Sequence, residues 1–202
     1  MPGGGAGTLW GVRESPWPVR MDDLLFREAV SSDIEALLAF RNDPVVNHFM
    51  VHTYVDPDDL RRDWLAVPSS PTDFSCVVER RGEVVAMGFL DVVDGPGQPG
   101  SPAATDGLIG YIVDPRFAGQ GIATDTARAL VDAAFGPLGL RRVTAAAYAD
   151  NLASVAVLEG AGLRRERLAR KALWHHELGW IDEVHYALLD EDWALTRSTS
   201  GR

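Results

Sequence analysis

The stretch Tyr111-Ile112-Val113-Asp114-Pro115-Arg116-Phe117-Ala118-Gly119-Gln120-Gly121-Ile122-Ala123-Thr124 constrains this chain most, because a β-rich run passes through a Gly-rich turn straight into a helical pattern. Gly119 and Gly121 carry no side chain that would block an incoming diphosphate. The first amides of a helix lack intrahelical partners and face outward with the positive end of the helix dipole, so such a turn can hold phosphate with backbone alone. The cradle would be made by Ala118, Gly119, Gln120, Gly121, Ile122, Ala123 and Thr124. A Gly-x-Gly before a helix is also an ordinary tight turn, and the turn by itself leaves both readings open.

The remaining pattern supplies a frame for it. Residues 1–22 hold Gly3-Gly4-Gly5, Gly7, Pro16 and Pro18 without apolar periodicity and read as a flexible leader, with Trp10 or Trp17 free to dock. Leu24 to Val30 suits a first strand, and the Ser-x-x-Glu spacing of Ser32 and Glu35 predicts the start of a helix. Asp56-Pro57 predicts a second helix start, with Leu60, Trp64 and Leu65 on one face. Phe74 to Val93 reads as a hairpin around Arg81-Gly82-Glu83, and Gly95 to Gly107, with Pro96, Pro99 and Pro102, as a loop. A strand at Leu108 to Val113, a helix from Gly121 to Phe135, a strand at Arg142 to Tyr148 and a helix from Leu152 to Glu159 follow. β-like runs at Leu163 to Trp174 and Asp182 to Leu189 close the series. The domain is expected over 23–195, with 196–202 a frayed tail.

Composition narrows the function classes. With 46% hydrophobic and 24% charged residues the usage is that of a globular domain. The Val84 to Leu90 run is interrupted by Gly88 and falls far short of the ~20 residues that cross a bilayer, so neither a membrane span nor a membrane partner is expected. Met1-Pro2-Gly3 opens without a basic n-region, and a cytoplasmic location is the expectation. The formal charge is −10, which disfavours a nucleic-acid partner; it would draw a cationic amine, but it also simply keeps a protein dispersed. Cys76 is alone, which excludes an internal disulfide and a multi-cysteine metal site, and no metal is expected.

The turn at 118–123 resembles the motif Gln/Arg-x-x-Gly-x-Gly/Ala with which the GNAT acetyltransferase superfamily holds the CoA diphosphate, with Ala118 standing where Gln or Arg is usual. Asn151-Leu152-Ala153-Ser154 followed by Val157-Leu158-Glu159-Gly160-Ala161-Gly162-Leu163 is similar to the signature of the RimJ/RimL branch. Arg41-Asn42-Asp43-Pro44, Leu140-Arg141-Arg142-Val143 and Gly179-Trp180-Ile181-Asp182 extend the likeness over about Leu24 to Trp193. The resemblance implies a mixed α/β (α+β) fold, its mostly antiparallel sheet of about seven strands splayed in the middle, with about four helices. It implies acetyl-CoA as acyl donor, with the pantetheine arm wedged between the strand at Tyr111-Ile112-Val113 and the strand ending at Tyr148. In that setting Asn151 would bond the pantetheine and Ser154 would protonate the leaving thiolate. Without it, Asn and Ser beside a helix start are ordinary caps.

The chain departs from the superfamily at two catalytic positions, where Leu158 replaces a Tyr acid and Leu108 a Glu base. Leu173 stands where relatives that acetylate ribosomal proteins carry a carboxylate. His175, in His175-His176-Glu177, is the remaining imidazole candidate for a base, with surface or packing as its other reading. The expected acceptor is a primary amine, either a peptide N-terminus or a small amine such as an aminoglycoside or polyamine. An α-amine near pKa 7.7–8.0 is easier to deprotonate at neutrality than a Lys near 10.4 by about 3.5 kcal/mol, which favours a peptide N-terminus where base candidates are weak. A non-catalytic acyl-CoA sensor of the same fold is the alternative, and a homodimer is left open.

Overall fold

The hairpin around Gly82 anchors a sheet that the rest of the chain extends on both sides. In the computed structural model, which describes residues 13–200, β3 (Cys76–Arg80) turns into β4 (Glu83–Val93) through Arg81 and Gly82, whose φ values of 54° and 83° lie in the left-handed region. β2 (Leu24–Arg27) pairs antiparallel with β3, β1 (Val19–Met21) with β2, and β5 (Asp106–Val113) along its whole length with residues 86–93 of β4. β6 (Arg142–Tyr148) runs parallel to β5, and β7 (Arg164–His175) and β8 (Gly179–Leu189) complete a sheet in the order β1-β2-β3-β4-β5-β6-β8-β7. β5 and β6 share only three residue pairs, Asp106 with Arg142, Gly107 with Val143 and Leu108 with Thr144, and beyond Leu108 they part. The expected splay lies there. The described residues form eight strands and six α-helices, more than the seven and four expected, within the same mixed, mostly antiparallel architecture.

Helices cover the two faces because the strands alternate apolar side chains. α4 (Ile122–Phe135) and α5 (Leu152–Gly160) pack on one face, where Leu130, Leu158, Phe26, Leu90, Val143 and Tyr186 are buried together. α1 (Ile34–Arg41) and α3 (Pro57–Ala66) cover the other face of the first half-sheet, burying Ile34, Leu37, Leu60, Trp64, Val77, Met87 and Ile112. The short α2 (Pro44–Asn47) leads into the segment between them, and α6 (Asp190–Ser200) follows β8. Asp56 caps α3 as expected, its carboxylate accepting from the Asp58 amide at 2.9 Å with Pro57 in the first turn.

Several boundaries move for identifiable reasons. The Ser32 box is not formed: Ser31–Asp33 is a 3-10 turn in which the Val30 amide donates to Asp33 Oδ2 at 2.8 Å, while Arg27 donates to the same carboxylate at 2.7 Å. That bidentate pull on Asp33 ends β2 at Arg27 instead of Val30. β5 starts at Asp106, inside the expected loop, and Arg141 holds the buried Asp106 carboxylate at 3.0 Å. β8 starts at Gly179, three residues before Asp182, because the β7 hairpin closes through Trp174 and Trp180.

The expected leader is corrected most. Residues 1–12, with Trp10, lie outside the described residues, but within 13–22 Val19–Met21 form the edge strand β1 and Trp17 packs into the core. Trp17 is buried, its indole N–H donates to the Phe74 carbonyl at 2.8 Å, and its ring stacks on Phe26 at 6.1 Å. Residues 196–200 of the expected tail likewise continue α6, where Trp193 Nε1 donates to Asp132 at 2.7 Å and Arg197 pairs with the same carboxylate. No helix among the described residues is long and apolar enough to cross a membrane. Cys76 is fully buried, which pushes its thiol pKa up.

Candidate active site

The parting of β5 and β6 opens a cleft of about 620 Å³. One wall is Ile109 to Val113 of β5 and the other Ala145 to Tyr148 of β6; Asn151, Ser154 and Val157 come from α5, and Val45, Phe49, Met50 and His52 from the segment after α1. On the side away from β4, the backbone of Tyr111, Ile112 and Val113 has no strand partner, so an extended ligand could pair there. Most of the lining is apolar, as for a site that takes an acyl chain and excludes water.

The Gly-rich turn has the conformation that the cradle needs. Gly119 and Gly121 have φ values of 73° and 82°, and a Cβ at Gly119 would meet nothing within 4 Å. A Cβ at Gly121 would meet only Asp125 Oδ2, at 3.9 Å. Among the described residues the amides of Gly119, Gln120, Gly121, Ile122, Ala123 and Thr124 have no backbone acceptor, and the first intrahelical bond of this end runs from Asp125 to Gly121. Ala118 and Ala123 line the cleft, whereas the Ile122 side chain is buried in the core and Thr124 abuts Gly160 of α5. The Gln120 side chain is held elsewhere, its Oε1 accepting from Arg80 at 2.7 Å. Arg80, from β3, thereby brings a guanidinium to the turn where Ala118 offers no polar group. Sequence spacing gives no signal for that contact.

Asn151 and Ser154 show their capping reading and also border the cleft. Asn151 Oδ1 accepts from the Ser154 amide at 3.1 Å and caps α5, while the Asn151 side-chain Nδ2 has no partner among the described residues and can donate to a ligand in the cleft. The Ser154 hydroxyl lies 2.9 Å from the Tyr111 phenol, whose single hydrogen can go to that hydroxyl or to the Ser154 carbonyl at 3.1 Å. Burial pushes the Tyr111 phenol up to about 12, partly offset by its bond to Ser154, so at neutral pH it stays a donor. Tyr111 thus brings a side chain as well as an unpaired backbone edge to the cleft.

His175 is corrected. It is buried, its Nδ1 accepts from the amides of Glu177 and Leu178 at 3.2 Å, and its Nε2 lies 2.7 Å from the His48 carbonyl. Accepting at Nδ1 fixes the proton on Nε2, which donates to that carbonyl; neither nitrogen is left to take a proton. His175 pins the segment after α1 against the β7–β8 hairpin, and it does not line the cleft. Leu173 does line it, without polar chemistry, and Leu158 is buried at its base. Glu183 of β8, paired with Tyr148, lines it too, and sequence reasoning missed it because its β-like run could not be placed beside β6. Among the described residues no cluster of His, Cys, Asp and Glu is suited to a metal ion.

A mixed sheet that parts beside a glycine cradle and an Asn-capped helix defines an acyl-CoA-binding class of fold. Residues 23–164 match the family model described as the acetyltransferase (GNAT) domain, and the chain belongs to that family. The uncharacterized N-acetyltransferase YnaD of Bacillus subtilis is 32% identical over 85 residues, which are 42% of this chain and 49% of that protein; the match spans about half the relative's length. Mycobacterium smegmatis RimJ, solved with CoA-disulfide, superposes with a TM-score of 0.73 at 22% identity over 89% of this chain and 91% of that one. Spermidine N-acetyltransferase of Vibrio cholerae, solved with CoA and spermine, gives 0.74 at 15% identity over 86% and 99%. At those identities the two solved structures share the fold.

Proposed function

We propose that the chain transfers the acetyl group of acetyl-CoA to a primary amine by direct attack. The observation that carries this is the cleft itself, where β5 leaves a strand edge unpaired between the unpartnered amides of 119–124 and the Asn151–Ser154 cap. Acetyl-CoA, as the acyl donor, supplies the thioester. The glycine turn binds its diphosphate, with Arg80 adjacent, and the free backbone of Tyr111 to Val113 and the Asn151 side-chain amide orient the pantetheine. A β5 amide facing the cleft is placed to bond the oxyanion, and Ser154, backed by the Tyr111 phenol, donates a proton to the departing sulfur.

The RimJ/RimL-like motifs and the α-amine argument support a peptide N-terminus as acceptor. The likeness to a spermidine acetyltransferase keeps a small amine as the second reading. Measuring free-CoA release from acetyl-CoA across N-terminal peptides, polyamines and aminoglycosides tests the proposal. Release that depends on an amine is the expected result; tight acetyl-CoA binding without release under any amine would instead show an acyl-CoA sensor.

A further inference from the structure

Glu183 is the only carboxylate among the residues that line the cleft. It projects from β8 in register with Tyr148 of β6 and Ala169 of β7, on the face opposite the core residues Val184 and Tyr186. That is the side on which Phe49, Met50 and His52 border the cleft, away from the α4 cradle. The Glu183 side chain is 20% exposed, open enough for contact but sheltered from bulk screening. Its Oε2 lies 2.8 Å from His185 Nε2, and its Oε1 has no partner among the described residues. His185 Nε2 also lies 2.7 Å from an Arg167 guanidinium nitrogen. One ring nitrogen cannot donate to the carboxylate and accept from the guanidinium at once, so His185 bonds Glu183 in the tautomer that carries the proton on Nε2 and Arg167 in the other.

Resting on the acetyl-transfer reading, we infer that Glu183 is the acceptor subsite of this enzyme: its Oε1 binds a cationic primary amine and takes the proton that makes it nucleophilic, while His185 positions the carboxylate. An ammonium that enters a cleft with apolar walls needs a counter-charge, and no other acidic group among the described residues lines it. The step balances. The ammonium proton passes to Glu183 and on to solvent, the amine nitrogen forms a bond to the acetyl carbon, the carbon–sulfur bond breaks, and the second nitrogen proton ends on the CoA sulfur. Leu108, Leu173 and Leu158 leave the family's usual positions without acid or base, and His175 has no free nitrogen, so the proton needs a group elsewhere. The titratable and charged groups around Glu183 are Tyr148 from β6, Arg167 from β7, His185 from its own strand and His52 across the cleft. The Tyr148 phenol pKa is raised, by burial first and by the Glu183 charge second, which places the two side by side.

The experiment compares the wild-type chain with Glu183→Gln and Glu183→Asp, using the amine that gives the highest CoA release. Glu183→Gln should lower kcat/KM for the amine about 10²- to 10³-fold at neutral pH, with acetyl-CoA affinity and melting temperature unchanged and partial recovery in Glu183→Asp. The deficit should shrink to less than about 10-fold at a pH above the amine's own pKa, where no proton need be removed. A loss of constant size at every pH, or wild-type kcat/KM in Glu183→Gln, overturns the assignment of Glu183 alone. A wild-type chain that binds acetyl-CoA but acetylates no amine overturns the acetyl-transfer reading and this inference with it.

Discussion

Replacing Trp17 with Ala tests whether the start of the chain is part of the folded body. The side chain is 7% exposed, so nearly all of its surface would be lost from the core together with the stack on Phe26. Removing a core Trp costs about 3–5 kcal/mol. The Phe74 carbonyl, deprived of its 2.8 Å donor, adds up to about 1 kcal/mol if water cannot reach it. Each kcal/mol moves the midpoint of a domain this size by about 2–4 °C, so Trp17→Ala should melt about 6–24 °C below the parent. Trp17→Phe keeps the ring contact and loses only the donor, and should cost about 1 kcal/mol. Calorimetry or circular dichroism on both variants measures this, and a Trp17→Ala midpoint within 2 °C of the parent would refute the packing of residues 13–21 that underlies the estimate.

Gly121→Glu should abolish measurable acetyl-CoA binding by calorimetry, since it sets a negative charge in the cradle and forces a left-handed conformation costing about 1–2 kcal/mol on a residue with a Cβ; Gly121→Ala carries the strain without the charge and should keep most of the affinity. Ser154→Ala should slow turnover about 10- to 100-fold with acetyl-CoA affinity kept, and adding Tyr111→Phe should cost little more if the two hydroxyls act as one unit; a normal rate with lowered stability would instead make Ser154 a cap only. Burial works to raise the Asp33 pKa, but the Arg27 guanidinium and the Val30 amide outweigh it and hold the carboxyl below its unfolded value of about 3.9. Its stabilisation is therefore complete above that value and is lost as pH falls through the lower folded one. Asp33→Asn should cost about 1–3 kcal/mol at pH 7, with the gap to the parent closing toward pH 2 in urea unfolding.

The parts of the molecule legible in the sequence are those set by local rules. The turn at 119–121 requires positive φ and holds glycine there, Asp56-Pro57 caps α3, and the β6 limits Arg142 and Tyr148 follow from apolar alternation between breakers. What stayed hidden depends on groups distant along the chain. Trp17 looked like part of a Gly- and Pro-rich leader because its partners, Phe26 and the Phe74 carbonyl, lie beyond any local window. His175 reads from sequence as either a base or a packing residue, and the group that decides for packing, the His48 carbonyl, lies 127 residues earlier. Glu183 gave no signal at all, since only the pairing of β6 with β8 brings it to the cleft. The family motifs point to the stretch proposed for the donor because it is contiguous backbone, whereas the wall proposed for the acceptor is assembled from separate stretches.

The three shared residue pairs of β5 and β6 leave the molecule as two half-sheets joined at one end. A ligand lying along the free edge of β5 would act as a missing strand, laced to the protein by the bonds the chain leaves unmade. Amide hydrogens of Tyr111, Ile112 and Val113 that point into the seam should then exchange freely with solvent in the empty protein and become slow when the donor is bound, while those paired with β4 stay slow in both states. The same lacing should make the body stiffer across the seam, so that the acceptor wall, carrying Tyr148 and Glu183, is held at a fixed distance from the thioester only after the donor has arrived.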